Sequence, residues 1–479
     1  MRVFAGGVTL LLGAVANAAP PGFEGVFPAG GQTGRRVEVK VSGKDLEKTS
    51  PQAWVSEPRI AALAGEKPKT FFLGIGPEVA AGPYLMRLHT RDGVTPPRII
   101  EVGKFEEVPE KESNDALADV QAAGARMNVT FNGVLEKSGD VDTFAIRAQK
   151  GRVITLELHG YALGSPMDPA MRLLDAHGVE VAAGHDTHNL DPRIQHVPSA
   201  DGALFVQVFA FAHPPAADVA FKGSANHIYR LIASDGPAKT APADEPEALV
   251  IPTTIKGCIA KPNEEDAFIF TAKKGDDLQI SACSREVRGT LDATLRVEDA
   301  GGKVLQQADD ENGGLDPALR WKAPKDGTFK LVVADRFRQG SADHGYELSA
   351  RPFAPSLKAS LDTHAYRVEA GKSVEVKLGV KVDGKFEGKI QARATRLPAG
   401  VTAEPVEVPA KGGEVKLTLK AAAEAAESQA PFAVEIVTSA PDVVQIELAS
   451  YTIPFTEPRG DLLITSDTHP WLGVAAKKP

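Results

Sequence analysis

Two cysteines and three tryptophans are all that the 479 residues contain, and aromatic residues make up only 6%. Two cysteines cannot build a four-thiolate zinc site within one molecule. Three tryptophans argue against a strong planar aromatic platform for stacking on sugars. The chain also lacks an excess of positive charge: its formal net charge is −9, which argues against nucleic acid, whose binding needs a basic face. No apolar run reaches the ~18 residues that a membrane-spanning helix needs. No G-x-S-x-G, H-E-x-x-H, Walker loop or G-x-G-x-x-G fingerprint is present, so no catalytic centre is expected. No window carries a sustained 3.6-residue apolar stripe, which leaves little room for amphipathic helices.

Turn formers are abundant instead, with 45 glycines and 35 prolines. A hydrophobic content of 43% is enough for packed cores, and the length allows several domains. The N-terminus reads as a secretory leader: Arg2, an apolar run from Val8 to Val15, then Ala16-Asn17-Ala18 as a cleavage site, so export is expected. The strongest internal signal is a duplication. Gly139-Asp140-Val141-Asp142-Thr143-Phe144 and Glu264-Glu265-Asp266-Ala267-Phe268 occupy equivalent places, with Asp142 and Asp266 separated by 124 residues. The register holds at Asp168 and Asp292, Asp175 and Asp299, and Gly178 and Gly302, slips by one at Asp191 and Asp316, and closes on Tyr229 and Tyr346. A period this long marks a whole duplicated domain rather than a solenoid unit. Within each copy, runs such as Val153 to Leu158 and Thr328 to Val333 alternate with period two between glycine-rich turns, the pattern of a β-sandwich.

These residues carry a resemblance. With the leading segment Glu110-Lys111-Glu112-Ser113-Asn114-Asp115, the Asp142 turn and the later run Asp201 to Val208, each copy resembles the bacterial pre-peptidase C-terminal domain, a jelly roll attached to many secreted proteases. The frame Phe27-Pro28-Ala29-Gly30-Gly31 to Leu46 resembles an IPT/TIG-type immunoglobulin-like domain. The alternating runs Ser373 to Val380 and Glu414 to Leu419 resemble the immunoglobulin-like sandwich found beside some bacterial glycosidases. The expected organisation is all-β, a string of four β-sandwich modules. It comprises a leader 1–19, an Ig-like module 20–104, jelly rolls 105–236 and 237–352, an Ig-like sandwich 353–456 and a loosely ordered tail 457–479 in which Trp471 docks on a neighbour.

Glu110, Glu112, Asn114 and Asp115 offer four hard oxygen-bearing side chains within six residues, and Asp142 closes the next turn. Ca2+ takes oxygen ligands of this kind. The family resemblance implies the same: in the collagen-binding modules of secreted collagenases, an E-x-E-x-N-D segment and a D-x-F turn hold Ca2+. The chain departs from that pattern at Gly139, where Asp140 is the expected substitute. The bland alternative is a solvated linker. The second copy has Glu245-Pro246-Glu247-Ala248 and lacks the Asn-Asp pair, so calcium is expected in the first copy alone. His185 and His188 are three apart, a possible ligand spacing, yet the second copy places Asp309 and Asp310 there, so a solvated loop is the better reading. Cys258 and Cys283 form an even pair in an exported chain and are expected to be bridged, stabilising by roughly 3–4 kcal/mol. The functional expectation is a secreted or cell-surface monomer without catalytic activity. It binds an extracellular polysaccharide, peptidoglycan or protein, or alternatively is an accessory subunit or an unrecognised member of a secreted protease or glycosidase system.

Overall fold

The structure, a computed structural model, describes residues 22–46, 50–121, 124–187, 190–217, 220–236, 247–284, 289–309, 316–341, 343–439, 445–455 and 462–477. The leader, His188 and most of the linker between the copies lie outside the described residues. Strands dominate, and the one α-helix among the described residues is the single turn Leu117–Gln121. Alternation explains the strands. In Arg36–Ser42, Val39 and Val41 are 0% and 1% exposed, while Arg36, Glu38 and Lys40 face water. No described helix is long and apolar enough to cross a membrane.

In the first module, Gly25–Phe27, Arg36–Ser42, Thr70–Ile75 and Ile60–Ala64 form one sheet, and Gly30–Gln32, Arg98–Gly103, Gly82–Thr90 and Gln52–Val55 form the other. The duplication is visible strand by strand. In the first copy, Val129–Val134, Ile228–Gly236, Val153–His159 and Arg193–His196 face Asp142–Ala148, Gly202–Ala212, Met167–Leu174 and Glu180–His185. In the second, Thr253–Cys258, Gly345–Pro352, Asp277–Cys283 and Ala318–Lys322 face Glu265–Ala272, Gly327–Asp335, Ala293–Asp299 and Val304–Ala308. A tyrosine repeats at the heart of both. Tyr229 and Tyr346 lie directly over Gly133 and Gly257, where any Cβ would stand 2.2 Å from the ring or its hydroxyl. Only glycine leaves room for that ring. Each hydroxyl donates to the aspartate of the duplicated turn, Asp142 or Asp266, at 2.5 Å.

The leading segments differ between copies. Glu106–Pro109 pairs in parallel with Val129–Val134, whereas Glu247–Ala248 pairs in parallel with Phe268 and Ile269 of the opposite sheet. The counterpart of Glu247–Ala248 in the first copy is therefore the parallel bridge of Arg126 to Ile146. The Glu110 to Asp115 stretch precedes that bridge in the first copy and is not the register partner of Glu247–Ala248.

Two expectations need correction and one an addition. Cys258 and Cys283 are not bridged. Their strands flank Gly345–Pro352 on opposite sides, with Cys258 opposite Gly345 and Cys283 opposite Glu347. Two strand spacings amount to ~9.6 Å, beyond the ~4.4–6.8 Å between Cα atoms that a disulfide spans. The string of four modules holds but needs one addition, because the fourth folds back on the first and second. One hydrophobic cluster combines Leu85 and Ile99 of the first, Val134 and Ile228 of the second, and Leu472 and Val474 of the fourth. The tail is not loose either. Trp471–Ala475 is a strand between Ala365–Glu369 and Ser428–Pro431, and Trp471 is 2% exposed, its indole packed on Trp54 and His89 of the first module at 5.8 and 5.0 Å.

Candidate metal centre

The segment Glu110 to Asp115 is held by its neighbours before its side chains matter. Glu110 N–H donates to Asn132 O at 2.9 Å, and Thr143 N–H donates to Asn114 O at 3.1 Å. Thr143 Oγ1 donates to the Asp115 carbonyl at 3.3 Å. These bonds draw the segment across the start of Asp142–Ala148. Glu110, Glu112 and Asp142 each place a carboxylate oxygen within 4.8 Å of the others, the one such group of three among the described residues. Glu110 Oε1 accepts Val134 N–H at 2.8 Å, and Asp140 Oδ2 accepts Glu136 N–H at 2.5 Å.

What remains is unusual. Glu110 Oε2, Asn114 Oδ1 and Nδ2, Asp140 Oδ1 and Asp142 Oδ1 are buried without a hydrogen-bond partner. Asn114, Asp140 and Asp142 are 5%, 1% and 0% exposed. Among the described residues, no lysine or arginine forms an ion pair with Glu110, Glu112, Asp140 or Asp142. An unpaired buried acceptor costs ~1–3 kcal/mol, more when charged. The titrations follow. Burial and then the Asp142 charge push Glu110 well above the usual carboxylate range. Burial also raises Asp142, outweighing the Tyr229 hydrogen bond, with Asp140 and Glu112 adding repulsion. Glu112 rises through burial and the charges of Asp140 and Asp115. A hard cation would match such a concentration of acceptors.

Of the residues singled out from sequence, Glu110, Glu112, Asn114, Asp140 and Asp142 converge. Asp115 is exposed and acts through its carbonyl, its carboxylate reaching the cluster only as a charge on Glu112. Gly139 has φ +87°, and nothing lies within 4 Å of where a Cβ would stand. The residue that sequence reasoning missed is Tyr229, whose hydroxyl donates to the Asp142 carboxylate at 2.5 Å; its recurrence as Tyr346 was the available signal. His185 is exposed, 3.6 Å from Asp186. Asp191 points inward, accepting the N–H groups of Gly160, Tyr161 and Ala162 at 3.1, 2.8 and 2.8 Å, so it is a structural cap rather than a partner of His185.

No family model matches the chain. A probable subtilase-type serine protease of Deinococcus radiodurans is 40% identical over 83 residues, which is 17% of this chain and 11% of that protein; the chain thus spans about one ninth of its relative. Among solved structures, the pre-peptidase C-terminal domain of a Bacillus anthracis collagenase aligns over 23% of this chain and all of its own, at 20% identity and a TM-score of 0.19. The SGBP-B protein of a Bacteroides ovatus mixed-linkage glucan utilization locus, in complex with a mixed-linkage heptasaccharide, aligns over 68% of this chain and 70% of its own, at 9% identity and a TM-score of 0.15. The N-terminal four Ig domains of Dscam1 align over 96% of this chain and all of theirs, at 10% identity and a TM-score of 0.21.

Proposed function

We propose that the chain is an exported, non-catalytic binding and scaffold protein whose β-sandwich modules engage an extracellular polymer, and that its first jelly roll holds one Ca2+. Glu110, Glu112, Asn114, Asp140 and Asp142 would hold the ion. One observation carries the proposal: four buried oxygens, one from each of Glu110, Asn114, Asp140 and Asp142, have no hydrogen-bond partner among the described residues. Ca2+ takes six to eight oxygens and accepts water for the remainder. The bound ion supplies charge neutralisation and fixes the leading segment on the Asp142 turn. That segment follows Glu106–Pro109, which joins the first module to the second, so the ion stiffens the junction on which a multi-module binder relies. In the second copy, Asp266 has its tyrosine but no counterpart of Glu110 among the described residues, and calcium is assigned to the first copy alone.

The serine-protease relative favours a second reading, an accessory partner of a secreted hydrolase. Co-sedimentation of the full chain with insoluble peptidoglycan, cellulose, chitin and collagen, in millimolar Ca2+ and in chelator, tests the first. Retention on one polymer that weakens in chelator supports it. Retention on none, together with hydrolysis of a protein or glycan substrate by the purified chain, overturns it.

A further inference from the structure

The two copies differ at one sheet edge. In the first, the outer edge of Val129–Val134 is covered: Glu106–Pro109 pairs with it in parallel, Glu106 opposite Val129 and Pro109 opposite Asn132. Thr130 and Asn132 are accordingly 1% and 2% exposed. The equivalent strand of the second copy is Thr253–Cys258, since Gly133 and Gly257 both lie under their tyrosines. It ends its sheet: Gly345–Pro352 pairs with one side, and among the described residues no strand pairs with the other. Thr254 and Lys256 take the places of Thr130 and Asn132 and are exposed. Ile255 takes the place of the buried Phe131 and is only half-buried, and Val250, just before the strand, is 83% exposed.

Backbone parity shows what this edge offers. In the first copy Glu110 N–H donates to Asn132 O across the covered edge, while Leu135 N–H donates to His227 O on the other side. Residues of a strand alternate in this respect, so Thr130 and Asn132 turn N–H and C=O toward Glu106–Pro109. The second copy keeps the parity, because Ile259 N–H donates to His344 O. The N–H and C=O groups of Thr254 and Lys256 therefore point out of the sheet, a template for one more strand. A second copy of the same edge fits poorly, since antiparallel pairing would set two Lys256 ammonium groups opposite or diagonal to each other. The covered edge shows the form of a suitable occupant. Val108 packs on the first core, and Pro109 stands where its missing N–H would face away from Val129–Val134. On the outer face Glu107 meets Arg230 and Asn132 at 2.8 and 2.7 Å. Their counterparts, Glu347 and Lys256, are of opposite sign and stand opposite each other, so a neutral side chain suits that place. We infer that the edge of Thr253–Cys258 binds an extended polypeptide segment of a partner protein as a parallel strand, apolar toward Ile255 and neutral over Lys256 and Glu347. This goes beyond the calcium and polymer readings and depends on neither.

The probe is a synthetic peptide of Phe105 to Lys111 carrying Glu107→Gln, labelled for fluorescence anisotropy and titrated with the full chain. Two further peptides are N-methylated on the backbone, one at Val108, whose N–H faces the paired edge, and one at residue 107, whose N–H faces away. The protein variant is Thr254→Pro, which removes an N–H that points only to the open edge, a place where a strand tolerates proline. Saturable binding is expected. It should fall about tenfold or more in Thr254→Pro, at an unchanged melting temperature, and for the peptide methylated at Val108, and should survive methylation at residue 107. Amide exchange at Thr254 and Lys256 should be fast in the free chain and slow with the peptide bound. Full-strength binding both in Thr254→Pro and by the peptide methylated at Val108 overturns the inference, as does the absence of binding. Slow exchange at Thr254 and Lys256 in the free chain overturns it too, because the edge is then filled by the chain itself or by another copy.

Discussion

Glu101 offers a sharp test of how the first two modules are locked. It lies on Arg98–Gly103 of the first module and is 4% exposed. Its carboxylate meets His159 Nδ1 at 2.9 Å and Arg230 Nε at 3.4 Å. Both partners belong to the second module and stand opposite each other across Val153–His159 and Ile228–Gly236. Arg230, fully buried, also donates to Glu107 at 2.8 Å and Asn132 at 2.9 Å. Removing one partner of a buried ion pair costs ~3–5 kcal/mol. Because Arg230 retains Glu107 and His159 retains Glu157 at 3.2 Å, the lower end applies, and Glu101→Gln should cost about 3 kcal/mol. With a urea slope of ~2–3 kcal/mol/M, the unfolding midpoint of these modules falls by about 1–1.5 M. Burial alone would lower the His159 pKa, but the Glu101 and Glu157 charges outweigh it and raise it to about 10. A raised histidine contributes stability that is complete below its unfolded value of ~6.5 and is lost as pH climbs through the folded value. Glu101→Gln should therefore also flatten the alkaline loss of stability. A midpoint shift under about 0.3 M, or a double-mutant cycle with His159→Gln showing no coupling, would refute the reasoning.

Four further outcomes are expected. Because burial raises Glu110 and Asp142, the metal-free first jelly roll should lose stability as pH rises from the carboxylate range through neutrality; Asp142→Asn should remove part of that loss in melts without metal, while abolishing any rise with calcium. Calcium at 10 mM, with Kd of ~10⁻⁴–10⁻³ M, should stabilise the wild type by about 1–3 kcal/mol at pH 7.5 and by less at pH 5, where protons compete; calorimetry showing no pH dependence would speak against carboxylate ligands. Two thiols should titrate in denatured, unreduced protein, and a mass that rises by two protons on reduction would restore the disulfide. Trp471→Ala should cost ~3–5 kcal/mol and expose the junction of the first and fourth modules to limited proteolysis.

The fold was legible where alternation and duplication speak together. Val39 and Val41, or Val206 and Val208, announce their strands because every second residue must face a core. The duplication also locates the turn of Asp142 and Asp266. The carboxylate cluster was legible as a density of acidic residues, because charges so close in sequence are costly unless something neutralises them. Other features were hidden for physical reasons. Pairing between modules is not periodic, so Trp471–Ala475 looks like a tail until Ala365–Glu369 lies beside it. Cys258 and Cys283 sit on runs close in sequence, and only the intervening strand Gly345–Pro352 separates them. The cluster of Phe209, Phe211 and Phe221 escaped because counting tryptophans overlooks phenylalanines on the outer side of Gly202–Ala212.

The most direct test of the account is a count of bound metal. The full chain, stripped with chelator and dialysed against 1 mM Ca2+ at pH 7.5, should hold one Ca2+ per molecule by equilibrium dialysis and elemental analysis. Glu110→Gln/Asp142→Asn should hold none, and Asp266→Asn in the second copy should still hold one. No bound calcium in the wild type, or an undiminished count in the Glu110→Gln/Asp142→Asn variant, would contradict it.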